Sequence, residues 1–367
     1  MIYLDSGATS FPKPPGVSRA VETALRTCAN PGRGGYPAAE AASRMVYRCR
    51  EQAAKLFHCR PEQVVLTGSC THGLNIAIRT LVKPGAKVAV SGFEHNAVTR
   101  PLHALNAQLI VCGRRLFDQE DTLSDFRRAL RSGVDAAVFT HVSNVFGYIL
   151  PAKEMAALCR TYGVPFIVDA AQSAGVLPVE LAGWGADFIA MPGHKGLLGP
   201  QGTGLLLCGR EPEPLLTGGT GSESVRQEMP EFTPDRAEAG TLNVPGIAGL
   251  RAGMEYVEQV GTDRILSRES QCARRCAEEL EKLGMQVFYG AHQAGTVSFR
   301  PGMDCEAAAQ ILSRRGIAVR AGLHCAPLAH ESAGTLETGT VRVSFGHDAS
   351  PRQLRMLAEA ASKLPPR

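Results

Sequence analysis

An α/β fold built on a mostly parallel sheet is what the sequence predicts, and three observations predict it. Continuous, β-branched apolar runs recur at Val64-Val65-Leu66, Lys87-Val88-Ala89-Val90, Leu109-Ile110-Val111, Asp135 to Phe139, Pro165 to Val168 and Gly204 to Leu207. Most are separated by a segment long enough for one helix, the spacing of βαβ units whose strands are covered on both faces. Small polar clusters follow several runs closely, at Gly68 to Gly73, Gly92 to Asn96, His141 to Asn144 and Asp169 to Gln172. Open α/β sheets place ligands at the carboxyl ends of their strands, so these loops are expected to converge on one site.

The chain has 367 residues, 44% of them apolar, enough for a large core and too many for one average domain. From about Gly246 the pattern changes to a long amphipathic helical stretch through Leu283. Strand-like pieces follow at Gln286 to Phe288 and Thr296 to Phe299, then a helix over Glu306 to Arg315. This predicts a large domain over residues 16–245 and a smaller α+β domain over 246–367, with residues 1–15 packing against the smaller one. Thr217 to Pro234, rich in Gly, Pro and charge, reads as a long functional loop.

Composition removes several classes of function. The net charge is +4, from 39 basic and 35 acidic residues spread along the chain, with no basic arm that would track nucleic acid. The start, Met1-Ile2-Tyr3-Leu4-Asp5, has no signal-like pattern, and no run approaches the roughly 20 apolar residues of a membrane span, so a cytoplasmic protein is expected. Eleven cysteines at irregular spacing, without a Cys-x-x-Cys pair, argue against a disulfide framework and a zinc ribbon. Reduced core thiols are expected instead, and no metal site.

Two segments carry chemistry. Lys195 sits in the small-residue turn Met191-Pro192-Gly193-His194-Lys195-Gly196, downstream of the strand-end acid of Phe166-Ile167-Val168-Asp169. A lysine amine that can form an imine, with a carboxylate to keep a ring nitrogen protonated, is what pyridoxal phosphate needs. Gln172 can hydrogen-bond the ring oxygen. Gly68 to Gly73 precedes the helical pattern Leu74 to Leu81, where free N–H groups and the helix dipole suit a phosphate and Thr71 adds a hydroxyl. His95 can stack on a flat ring and move protons near neutral pH. The second segment is Val319-Arg320-Ala321-Gly322-Leu323-His324-Cys325-Ala326-Pro327. Here Cys325 is flanked by Arg320 and His324, positive surroundings that favour a nucleophilic thiolate. Arg342, on the alternation Thr340-Val341-Arg342-Val343-Ser344, suits bidentate capture of an α-carboxylate. Each residue also has a plain alternative: a helix cap for Asp169, a core histidine for His95, one more buried thiol for Cys325, a surface ion pair for Arg342.

With these motifs in place, the chain from Tyr3-Leu4-Asp5-Ser6-Gly7-Ala8-Thr9 to Arg342-Val343-Ser344 resembles the class V aminotransferase family of fold-type I pyridoxal phosphate enzymes. Within that family it resembles the cysteine desulfurase and selenocysteine lyase branch, of the group with a short cysteine loop. The resemblance implies that Lys195 carries the cofactor, Asp169 pairs with the ring nitrogen, Gln172 with the ring oxygen, and His95 stacks over the ring. It places Cys70, Thr71 and His194 at the phosphate and Asn144 against cofactor or substrate. Thr241, in Glu238-Ala239-Gly240-Thr241, would reach the phosphate of a neighbouring subunit, which implies a homodimer. Arg342 would hold the substrate carboxylate, Arg33 in Asn30-Pro31-Gly32-Arg33-Gly34 would lie at the entrance, and Cys325 would accept sulfur.

Three departures from the family pattern stand out: Pro192 for a serine before Gly-His-Lys, Leu323 for a histidine before His324-Cys325, and Asn96 for a histidine after His95. The implied reaction converts L-cysteine to L-alanine, leaving a persulfide on Cys325 for a sulfur acceptor protein. Selenocysteine lyase activity on L-selenocysteine, another class V aminotransferase or β-lyase, and a non-catalytic sulfur carrier are the alternatives.

Overall fold

The computed structural model describes residues 1–32 and 34–367; Arg33, expected at the entrance, lies outside the described residues. The strands are β1 (Ile2–Tyr3), β2 (Val64–Thr67), β3 (Lys87–Ser91), β4 (Gln108–Cys112), β5 (Ala136–Thr140), β6 (Phe166–Asp169), β7 (Phe188–Pro192), β8 (Gly204–Cys208), β9 (Gln286–Phe288), β10 (Thr296–Arg300), β11 (Ile317–Ala318), β12 (Arg320–Gly322) and β13 (Thr340–Ser344).

Seven strands form one sheet in the order β2-β8-β7-β6-β5-β3-β4, an α/β architecture with helices on both faces. The pairs from β7 through β4 are parallel, whereas β8 runs antiparallel to both β7 and β2. The reversal follows from the connection. No helix separates β7 from β8, and parallel neighbours need a crossover that this glycine-rich turn cannot supply. The strands are buried on both sides: Phe139, Val168 and Ile189 pack into one core, while Val138, Ile167 and Phe188 pack into the other.

The second sheet, β12-β13-β10-β9, is antiparallel and rests on the helices Thr262–Lys282 and Cys305–Arg314, against which Pro351–Ala361 packs along with β1 and β11. Val297, Phe299, Val341 and Val343 face that helical layer in a core of their own. The N-terminal strand β1 pairs in parallel with β11, and Asp5 bridges Ser344 at the end of β13. The helical stretch expected from Gly246 to Leu283 is two helices, Val244–Val260 and Thr262–Lys282. Gly261 separates them at φ 88°, a left-handed backbone that cannot continue a right-handed helix. Among the described residues, no helix is long and apolar enough to cross a membrane.

Candidate active site

At the carboxyl ends of the central strands lies a cavity of about 340 Å³. Its lining brings together Cys70, Thr71, His95, Asn144, Asp169, Gln172, His194, Lys195, Cys325 and Arg342. The central strand ends and the turns after them present all of these side chains but two, as the doubly wound topology dictates; Arg342 comes from β13 of the second sheet and Cys325 from the loop after β12.

Lys195 follows the end of β7, and among the described residues no hydrogen bond or ion pair holds its Nζ. Burial pushes its amine below the ordinary lysine value, an effect that Asp169 partly opposes. The peptide before it is firmly anchored. The His194 carbonyl accepts from the Ser10 N–H (3.0 Å), Thr9 Oγ1 (3.0 Å), Ser10 Oγ (3.1 Å) and Lys13 Nζ (2.7 Å). The His194 ring is held neutral, burial taking it down to about 4, and its Nδ1 is buried without a partner.

Asp169 ends β6 and is 2% exposed. Its Oδ1 accepts from the Ala171 N–H at 2.9 Å and from Cys70 Sγ at 3.4 Å, which leaves Oδ2 available. The Cys70 thiol therefore faces the carboxylate, and burial raises it far above the ordinary thiol value, so it stays a donor. The helix expected from Leu74 begins at Cys70, because Ser69 caps it by accepting from the His72 N–H at 3.1 Å. Cys70 and Thr71 thus occupy the first turn, where N–H groups have no partner within the helix. Gln172 donates from Nε2 to the Gly7 carbonyl at 2.9 Å and keeps one amide hydrogen free.

His95 caps the helix Asn96–Ala104, its Nδ1 accepting from the Ala97 N–H at 3.0 Å. The proton of the neutral ring therefore resides on Nε2, and burial holds the ring below the usual histidine value. The Cys325 loop is tied to the same helix: the Asn96 N–H donates to the Cys325 carbonyl at 2.8 Å. Asn144 Nδ2 donates to the His324 carbonyl at 2.8 Å, so two successive carbonyls of the loop are fixed. Both His324 and Cys325 have left-handed backbones, at φ 49° and 56°, which turns the exposed thiol toward the cavity.

His324 corrects the expectation of a cation beside the thiol. Its ring is buried, stacked on His330, and pushed down to about 2, burial being the largest cause and the charge of Arg342 the next. Its Nε2 donates to the Thr340 carbonyl at 3.1 Å, so it is a neutral packing residue. Arg320, on β12, and Arg342 are the guanidinium groups that line the cavity with Cys325.

Arg342 is 2% exposed on β13, and its Nη1 donates to the Asn144 carbonyl at 2.9 Å. Its Nη2 meets Asp5 Oδ1 at 2.6 Å, a partner that local sequence did not reveal, and its Nε is buried without one. Thr241 does not reach this cavity. It lines a separate surface depression of about 700 Å³ beside the buried pair Arg50–Glu238 (2.6 Å).

Comparisons with known proteins agree with this geometry. The aminotransferase class-V family model matches residues 2–357. A probable cysteine desulfurase of Methanothermobacter thermautotrophicus is 32% identical, across 99% of this chain and 94% of that one. Among solved structures, the apo cysteine desulfurase of Thermococcus onnurineus NA1 superposes with a TM-score of 0.91 at 32% identity, covering 99% of this chain and 94% of that one. The cysteine desulfurase CsdA of Escherichia coli does so with a TM-score of 0.84 at 25% identity, again covering 99% and 94%.

Proposed function

We propose that this chain, which belongs to the class-V aminotransferase family, is a pyridoxal phosphate-dependent cysteine desulfurase that moves sulfur from L-cysteine onto Cys325. The observation that carries the reading is one cavity lined at once by Lys195, Asp169, Arg342 and Cys325.

The residues present fit the cofactor. Lys195 offers an unpaired amine, and Asp169 Oδ2 is the open acceptor for a ring N–H. The unpartnered His194 Nδ1, the Thr71 hydroxyl and the first turn at Cys70 and Thr71 suit a phosphate. The free amide hydrogen of Gln172 suits the ring oxygen, and His95 Nε2–H the ring face. When bound, the cofactor supplies an electron sink for the pair released when the substrate Cα loses its proton.

Every other part of the reaction falls to the chain. Arg342 binds the substrate carboxylate, with Arg33 assigned to the entrance, and this sets the Cα toward Lys195. Lys195 Nζ, whose proton burial makes easier to lose, takes and returns the Cα proton. Asn96 and Asn144 hold the loop so that Cys325 Sγ can attack the substrate sulfur. The new S–S bond forms as the Cβ–S bond breaks, and its electron pair stays with the three-carbon fragment. That fragment gains a proton, with His95 Nε2 as a nearby donor, and leaves as L-alanine. Cys325 keeps the persulfide, and its exposure suits delivery to an acceptor protein. Thr241, outside the cavity, is assigned to the phosphate of a second subunit in a homodimer.

Cys325→Ser is expected to end alanine release from L-cysteine while the cofactor's visible absorbance persists; undiminished release overturns the reading. Native protein that fails on L-cysteine but releases alanine from L-selenocysteine, with Cys325→Ser retaining that release, identifies a selenocysteine lyase instead.

A further inference from the structure

We propose that Asp5 is the residue that positions Arg342 for the substrate carboxylate, acting from behind the guanidinium and not as a carboxylate that competes in the cavity. The inference rests on the reading of Arg342 given above and adds to it a residue with no role so far.

Asp5 is bonded to two arginines at once. Its Oδ1 meets Arg342 Nη2 at 2.6 Å and its Oδ2 meets Arg320 Nε at 3.2 Å. The register of β12 and β13 puts Arg320 directly opposite Arg342, so two like charges face each other across the ladder. A carboxylate between them converts that repulsion into a bridged triad. Without it the buried guanidinium would be driven from its place.

The direction of approach separates a support from a competitor. Arg320, Arg342 and the segment Gly7 to Thr9 line the cavity, but Asp5 does not. The main chain passes over the guanidinium at Gly7, where a Cβ would come within 3.3 Å of Arg342 Cζ. Asp5 itself is fixed: the Ser344 N–H donates to the Leu4 carbonyl at 2.8 Å, the Ser6 N–H to the Ser344 carbonyl at 3.2 Å, and Tyr3 Oη to the Asp5 carbonyl at 3.1 Å. With Nη2 held by Asp5 and Nη1 by the Asn144 carbonyl, the planar fork cannot rotate. A carboxylate that docks on its remaining N–H groups then finds them already ordered, and preorganisation of this kind improves affinity without adding a contact.

The test uses the cofactor-loaded protein and follows its visible absorbance during titration with L-alanine and, separately, with cysteamine, an amine that lacks the carboxylate. Asp5→Asn is expected to raise the Kd for L-alanine about tenfold while the Kd for cysteamine stays within about twofold. Equal changes for both ligands, no change for either, or tighter binding of L-alanine overturns the proposal, the last by showing a competing carboxylate. Arg342→Lys is titrated alongside. If it weakens L-alanine and Asp5→Asn does not, only the role of Asp5 fails; if it leaves L-alanine unchanged, the assignment of Arg342 fails and the proposal with it. Should Asp5→Asn not fold, Asp5→Glu carries the same comparison. It keeps the charge on an arm longer by one methylene, and a selective loss of about threefold for L-alanine is expected, an unselective or absent one being contrary.

Discussion

Glu94, the residue before His95, is a buried carboxyl that no cation among the described residues neutralises, and replacing it with Gln should stabilise the fold at neutral pH. Its Oε1 accepts from Ser91 Oγ, from the Ser91 N–H at 3.2 Å and from the Thr140 N–H at 2.8 Å, while Oε2 is buried without a partner. Burial, aided by Asp169, pushes the group up to about 8 from 4.5, against the lowering effect of its hydrogen bonds. The folded chain therefore keeps a proton that the unfolded chain releases above pH 4.5. Stability from this group is complete below pH 4.5, falls as pH rises, and levels off above about 8. The slope is about 1.4 kcal/mol per pH unit, so native protein loses about 3 kcal/mol at pH 7 through this residue. Glu94→Gln retains the Oε1 acceptor and does not titrate. Urea midpoints of both cofactor-free proteins, taken from pH 5 to pH 8.5, should diverge in favour of the variant as pH rises. Parallel pH profiles, or a variant that loses ground above pH 7, would refute the reasoning.

Other perturbations have equally definite outcomes. Arg50→Ala strands the Glu238 carboxylate, which Arg50 meets bidentately at 2.8 and 2.6 Å inside the fold, so urea unfolding should show a loss of about 3–5 kcal/mol. His324, held neutral at about 2 by burial, must gain a proton on unfolding once pH falls below 6.5, so its stability is complete above that value and lost below it. Relative to native protein, His324→Gln should therefore gain about 2 kcal/mol between pH 7.5 and pH 5 by the same urea assay.

The strands around the site were legible because buried parallel strands are continuous apolar runs, and Val138, Ile167 and Phe188 report burial by their identity alone. The reversal of β8 was less visible: its residues read like any other run, and only the missing helix before it distinguishes it. Lys195, Asp169 and His95 could be read from their places after strands, since topology brings such loops together. The partners of Arg342 could not. Asp5 lies 337 positions away and meets it only because β1 and the segment after it close against β11 and β13. The charge of His324 was misjudged for a related reason: a histidine beside a cysteine looks cationic in sequence, and only its burial, reinforced by the charge of Arg342 and by His330 stacked on it, makes it neutral.

The central claim is that sulfur from L-cysteine passes through Cys325. It is tested most directly by mixing the cofactor-loaded protein with one equivalent of L-cysteine, without reductant, and weighing the peptide that contains Cys325. The account predicts that this peptide becomes heavier by one sulfur atom as one equivalent of L-alanine appears, with the other ten cysteines unchanged. L-alanine formed while the Cys325 peptide keeps its mass would contradict it.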